Sequence, residues 1–114
     1  WGGGVSISAR DQARIGSMVL AGGSVNGKTI VSSNWLERMA TPCPVAPWYG
    51  RLVWLNRDRG QFAGASASAL VMQGAGDHHT WIDPGLDAVV VLRWLDTTHT
   101  QPTFARFAAA LHAR

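Results

Sequence analysis

The 114-residue sequence holds one cysteine, one lysine and one tyrosine, and each scarcity removes a class of chemistry. Cys43 has no partner, so no intrachain disulfide forms and the redox compartment stays open. It lies in the stiff segment Thr41-Pro42-Cys43-Pro44, with no neighbour to serve as the base a nucleophilic thiol requires. Lys28 is the only lysine, and the net charge of +3 comes from nine arginines set against seven acids. Arg10, Arg14, Arg38, Arg51, Arg57, Arg59 and Arg93 are spread over separate segments. Nucleic-acid binding uses a clustered basic face, so this spread reads as solvated surface and no nucleic-acid partner is expected. No stretch approaches the roughly 18 apolar residues of a membrane span, and no basic-then-apolar leader is present. The first residue is Trp1, not methionine, from which an internal start is expected, and localisation is left open.

What is present is core material. Apolar residues make up 46% of the chain, with six tryptophans and a mean hydropathy of +0.02, enough for one compact core and too little chain for two ordinary domains. Ser8 three residues before Asp11 marks a helix start, and Gly22-Gly23 a stop, so a helix is expected at 9–21 with Ala13, Ile15, Met18, Val19 and Leu20 inward. Val25-Asn26-Gly27-Lys28-Thr29 reads as a tight turn with a short extended piece after it. A second helix is expected at 34–39, capped by Ser32 or Ser33, with Trp35, Leu36 and Met39 on one face. Strands are expected at 49–55, 67–73, 80–82 and 88–95. Asn56-Arg57-Asp58-Arg59-Gly60 and Asp83-Pro84-Gly85 are read as turns. A last helix, 103–113, would bury Phe104, Phe107, Ala108 and Leu111. Helices followed by antiparallel strands and a closing helix define an α+β fold.

Three motifs bear on chemistry. Gly22-Gly23-Ser24-Val25-Asn26-Gly27-Lys28-Thr29 satisfies the P-loop pattern G-x-x-x-x-G-K-[ST]. A P-loop also needs a strand before it and a helix opening at its lysine. Here a capped helix precedes, and the β-branched run Thr29-Ile30-Val31 follows. A weaker match, Val89 to Asp96, resembles a Walker B strand, so a nucleotide-binding fragment stands as one alternative and a non-catalytic binding domain as another. Gly64-Ala65-Ser66-Ala67-Ser68 falls short of the nucleophile elbow, because Ser68 occupies the place of the final glycine. Asp77-His78-His79 is the densest titratable cluster, yet adjacent histidines in a strand point to opposite faces, so no metal site and no cofactor is expected there.

Four blocks in order carry a family resemblance. The first runs from Trp1-Gly2-Gly3-Gly4 through Asp11-Gln12-Ala13-Arg14 and resembles a "GGG, small, helix with D-x-A-R" segment; Leu20-Ala21-Gly22-Gly23-Ser24-Val25-Asn26-Gly27-Lys28 resembles the glycine-rich turn after it. Tyr49-Gly50-Arg51-Leu52-Val53-Trp54-Leu55 is similar to a "YGYGWW" strand. Gly74-Ala75-Gly76, Trp81-Ile82-Asp83-Pro84 and Asp87-Ala88-Val89-Val90-Val91-Leu92-Arg93-Trp94 resemble a glycine loop, a "W-[VI]-D-P" turn and a last strand. Together they resemble the C-terminal third of serine hydrolases of the β-lactamase and penicillin-binding-protein superfamily, in its esterase and 6-aminohexanoate-dimer-hydrolase branch.

The resemblance implies acyl transfer on an ester, amide or β-lactam, with a serine in an S-x-x-K box as nucleophile and a tyrosine box assisting. Neither box is here: Val25 stands three residues before Lys28, and Tyr49 is followed by Gly50-Arg51. Only the third box fits, at Met72-Gln73-Gly74. By the family's geometry the Ala75 backbone N–H would be an oxyanion donor, and Gln73, Gly74, Asp77 and His78 would border the substrate. Asp77 departs from the glycine common at that place. A left-handed backbone there would cost an aspartate energy. Gly74 and Gly76 equally suit a β-bulge or a close strand approach. By itself the segment is expected to be inactive, and to associate with the N-terminal portion of its protein or with itself.

Overall fold

The computed structural model describes residues 5–58 and 60–114. The Trp1-Gly2-Gly3-Gly4 block and Arg59 of the expected 56–60 turn lie outside the described residues. Three helices and six strands follow in the order α1 (Ala9–Leu20), β1 (Ser24–Val25), β2 (Lys28–Thr29), α2 (Ser33–Met39), β3 (Trp54–Leu55), β4 (Leu70–Gly74), β5 (His78–Asp83), β6 (Ala88–Leu92) and α3 (Thr97–His112). β1 and β2 form a two-stranded antiparallel sheet, and β3-β4-β5-β6 a four-stranded one, antiparallel throughout. The fold is α+β.

α1 begins where the Ser8 hydroxyl accepts the Asp11 N–H at 3.0 Å. It ends in a Schellman motif, with Gly23 N–H on Met18 O and Gly22 N–H on Val19 O, both glycines left-handed. Gly23 is required there, since a Cβ would lie 2.0 Å from Val31 O. The inward face differs from expectation. Ile15 is exposed and Gly16 is the buried residue, because the helix backbone rests directly on the sheet; a Cβ at Gly16 would come within 2.6 Å of Val89 Cγ1. α2 buries Met39 and half-buries Leu36, while Trp35 turns outward.

The segment read as a straight strand at 49–55 instead reverses direction. Tyr49 bridges Trp54, Gly50 N–H reaches Val53 O, and Leu52 is left-handed at φ 61°. At the start of this reversal Gly50 passes against the end of α2, where a Cβ would lie 2.1 Å from Met39 O. Only Trp54 and Leu55 join the sheet. Residues 67–69 are loop and turn, so β4 starts at Leu70.

Cross-strand rows assign the two faces of the large sheet. Trp54, Val71, Trp81 and Val90 are register partners in series and pack with Phe62, Phe104 and Ala108 on the α3 side. Leu55, Leu70, Ile82 and Val89 form the opposite row, with Met39, Leu36, Val19 and Leu20. α3 starts earlier than the expected residue 103, with Pro102 in its second turn. The Asp96 side chain caps it by accepting Thr98 N–H at 2.8 Å, and helix geometry is set before the proline is reached. Phe104 and Ala108 are buried, whereas Phe107 faces outward.

The loop between β3 and β4 is fastened by two buried polar residues. Asn56 donates through Nδ2 to Phe62 O, Ala65 O and Ser66 O and accepts Gln61 and Phe62 N–H through Oδ1. Asp83 accepts from Ser66 N–H and Oγ–H, Trp81 Nε1–H, and the Gly85 and Leu86 amides.

Candidate functional site

The residues singled out for chemistry sit on the hairpin between β4 and β5. The strands stay in register to Gly74↔His78, leaving a three-residue loop of Ala75, Gly76 and Asp77. Gly76 (φ 79°) and Asp77 (φ 50°) are both left-handed. The aspartate thus adopts the conformation disfavoured for a residue with a Cβ, at a cost of about 1 kcal/mol. Gly76 has a steric reason to be glycine, because a Cβ would approach Trp94 Cζ3 to 3.0 Å; Gly74 has none, a Cβ there meeting open space. Of the two glycines only Gly76 has a close neighbour, and that neighbour is an indole side chain and not a strand.

Gln73, Gly74 and Ala75 are exposed, and Asp77 and His78 half-buried. The Ala75 N–H donates to no acceptor among the described residues, and the residue is exposed just beyond the strand end. The alternation of the strand puts Gln73 on the α3 side with its register partner His79 and with Leu92, which pairs with His79 in turn, and puts His78 on the opposite side. Gln73 and His78 therefore flank the loop from different faces.

Two further residues belong to this site. Trp94, 76% exposed and left-handed at φ 56°, donates its backbone N–H to His78 Nδ1 at 3.3 Å and packs edge-to-face on that ring at 4.4 Å. A shallow depression of about 580 Å³ lies beside it, lined by Gly76, Asp77, Trp94, Leu95, Asp96 and Thr97. His79 is fully buried, edge-on to Phe104 and Phe62, with Nδ1 3.1 Å from Asp77 O. Burial holds its imidazole below the ordinary value, against the opposing pull of the Asp77 carbonyl. Alternation separated the two histidines in the sequence. Nothing in the sequence placed Trp94 against His78, since that contact depends on the left-handed turn after β6.

Other candidates are occupied structurally. Ser66 is bonded to Asp83 and Ser68. Gly22 to Thr29 forms the end of α1 and a hairpin with Asn26 and Gly27 both left-handed, the type I′ signature, so a helix precedes the turn and a strand follows it. That order lacks the strand-loop-helix arrangement of a P-loop. Among the described residues no group of three or more His, Cys, Asp or Glu is gathered to hold a metal ion, and no helix is long and apolar enough to cross a membrane.

No family model matches the chain. It is 32% identical over 103 residues to the 6-aminohexanoate-dimer hydrolase of Paenarthrobacter ureafaciens, in an alignment covering 78% of this chain and 24% of that protein. The chain spans about a quarter of the length of this curated relative. The similarity is to part of a hydrolase.

Proposed function

We propose that this chain is the C-terminal part of a β-lactamase-like serine hydrolase that works by acyl transfer on an ester, amide or β-lactam. Residues 73–78 supply one wall of its acyl pocket, and the Ala75 N–H is one of two donors to the oxyanion. The nucleophilic serine, its lysine and the tyrosine belong to the part of the protein outside this sequence. The reading is carried by the N–H of the exposed Ala75, left without an acceptor among the described residues at the end of a paired strand. A donor so placed costs no reorganisation when negative charge develops on a carbonyl oxygen.

Two observations support it. The partial relative is named as a hydrolase of an aminohexanoate dimer, and its similarity covers most of this chain. β6 is an edge strand of five apolar residues, all only half-buried. Edges are ordinarily blunted with charge or proline, so an apolar edge points to a neighbouring strand from the rest of the protein, or from a second copy.

The test uses the intact protein with p-nitrophenyl esters, short amides and a chromogenic β-lactam, together with fluorophosphonate labelling. Hydrolysis of at least one class is expected. Ala75→Pro removes the N–H and should lower kcat about 10²- to 10³-fold, while Ala75→Ser stays near wild type. An Ala75→Pro protein of full activity refutes the oxyanion assignment. Absence of hydrolysis and of labelling in the wild type refutes the hydrolase.

A further inference from the structure

The turn that presents Ala75 is held from both faces. On one face His78 is fixed by the Trp94 N–H and the Trp94 ring, and Gly76 lies against that indole. On the other, the His79 ring reaches back under the turn to the carbonyl of Asp77. Two non-glycine residues here, Asp77 and Trp94, are left-handed, a conformation that persists only where the surroundings over-determine it.

His79 is an unusual support. A carbonyl only accepts, so the Nδ1–O contact places the imidazole proton on Nδ1 and leaves a bare lone pair on Nε2. That Nε2 is buried with no hydrogen-bond partner among the described residues. Around the ring are the Phe62 and Phe104 rings, from the loop after β3 and from α3, with Gln73 and Leu92 as cross-strand partners. The titratable groups that act on it are Asp77 and His78 of its own hairpin. The neutral ring suits this box. A second proton on Nε2 would bring a charge and an unpaired donor into it, at the cost of burying both. The charged ring would hold Asp77 O more strongly through Nδ1–H, but burial outweighs that gain, so the relief open to it is to turn toward water and give up Asp77 O.

We infer that His79 is a positioning residue: neutral, it clamps the Asp77 carbonyl and so the loop carrying the Ala75 N–H, and protonated, it releases that loop. The activity arm of the test rests on the proposed hydrolase reading; the structural arm does not. The depressed imidazole agrees with this geometry. A group whose folded pKa lies below its unfolded one is neutral in the native state at higher pH. The clamp is therefore intact above the ordinary imidazole value of about 6.5 and is lost as pH falls through the lower native value.

The structural arm follows the histidine ring nitrogens and the backbone amides of 74–78 by NMR in the intact protein through an acid titration. His79 is expected as the Nδ1–H tautomer, with the 74–78 amides shifting in step with its protonation. An Nε2–H tautomer, or amide shifts that track His78 instead, overturns the inference. In the activity arm, His79→Asn retains an N–H donor close to the Nδ1 position and does not titrate. It should keep activity within about threefold at pH 8 and lose the acid limb shown by wild type, whereas His79→Phe should lose at least tenfold across the range. An acid limb unchanged in His79→Asn overturns the inference. If His79→Phe does not fold, the NMR titration decides. If wild type hydrolyses nothing while the amides still follow His79, the hydrolase reading fails and the clamp stands.

Discussion

Replacement of Asp83 by alanine isolates what the buried carboxylate contributes to the β5–β6 corner. Its two oxygens accept five donors: Ser66 N–H and Trp81 Nε1–H on one, Ser66 Oγ–H and the Gly85 and Leu86 amides on the other. Trp81 is fully buried, so its indole N–H has no water to turn to, and leaving it unpaired costs about 2 kcal/mol. The half-buried Ser66 amide adds about 1 kcal/mol, and the two turn amides together about 0.5 kcal/mol, because solvent reaches them. Relief from burying the charge offsets part of this, and the net loss expected for Asp83→Ala is about 3 kcal/mol. Asp83→Asn keeps one acceptor and should lose about half as much. Denaturant unfolding of the intact protein measures both. A double-mutant cycle with Trp81→Phe, which deletes the indole donor together with ring volume whose cost the cycle subtracts, should show a coupling of about 1.5 kcal/mol. A loss below about 1 kcal/mol for Asp83→Ala, or a coupling within experimental error of zero, would refute the assignment of Asp83 as the fastening of this corner.

The other predictions concern helix packing and helix starts. Gly64 is left-handed and a Cβ there would come within 2.5 Å of Ala108 Cβ, so Gly64→Ala should lose about 2–4 kcal/mol, with Ala108→Gly restoring only the steric part. Thermal unfolding of the single and double variants separates clash from backbone strain; equal stability of Gly64→Ala and wild type would contradict the packing. Asp11 is held below the usual carboxylate range by the Ser8 hydroxyl and then Arg14, and Asp96 by the Thr98 hydroxyl and amide. Depressed carboxylates stabilise above their unfolded pKa of about 4, and that contribution is lost as pH falls through the folded values. The thermal midpoint of wild type should therefore fall between pH 5 and 3 more than that of the Asp11→Asn/Asp96→Asn protein; parallel curves would show that neither carboxylate titrates with folding.

Local signals carried the parts of this fold that are decided within a few residues. Ser8 with Asp11, the Gly22-Gly23 stop and the Asn26-Gly27 turn each act through a neighbouring amide or a left-handed φ, and such chemistry is visible in the order of residues alone. What escaped is decided by distant partners. Gly16 and Gly50 lie inside segments expected as a continuous helix and strand, and they mark places where one backbone lies on another element. Asn56 and Asp83 read as turn formers, and their larger role, joining the β3–β4 loop to the sheet, depends on acceptors and donors up to 17 residues away. The hairpin shows both kinds of information in five residues. Period-two alternation separates His78 from His79, so the opposite surroundings of the two rings were legible. Which ring would be sealed behind the turn was not, because Phe62 and Phe104 arrive from the far side of the β3–β4 loop and from the last helix. The same dependence makes the site testable: Trp94 lies against His78 and Gly76 on one face of the turn and His79 against Asp77 O on the other, so disturbing either contact should move the Ala75 amide without touching it.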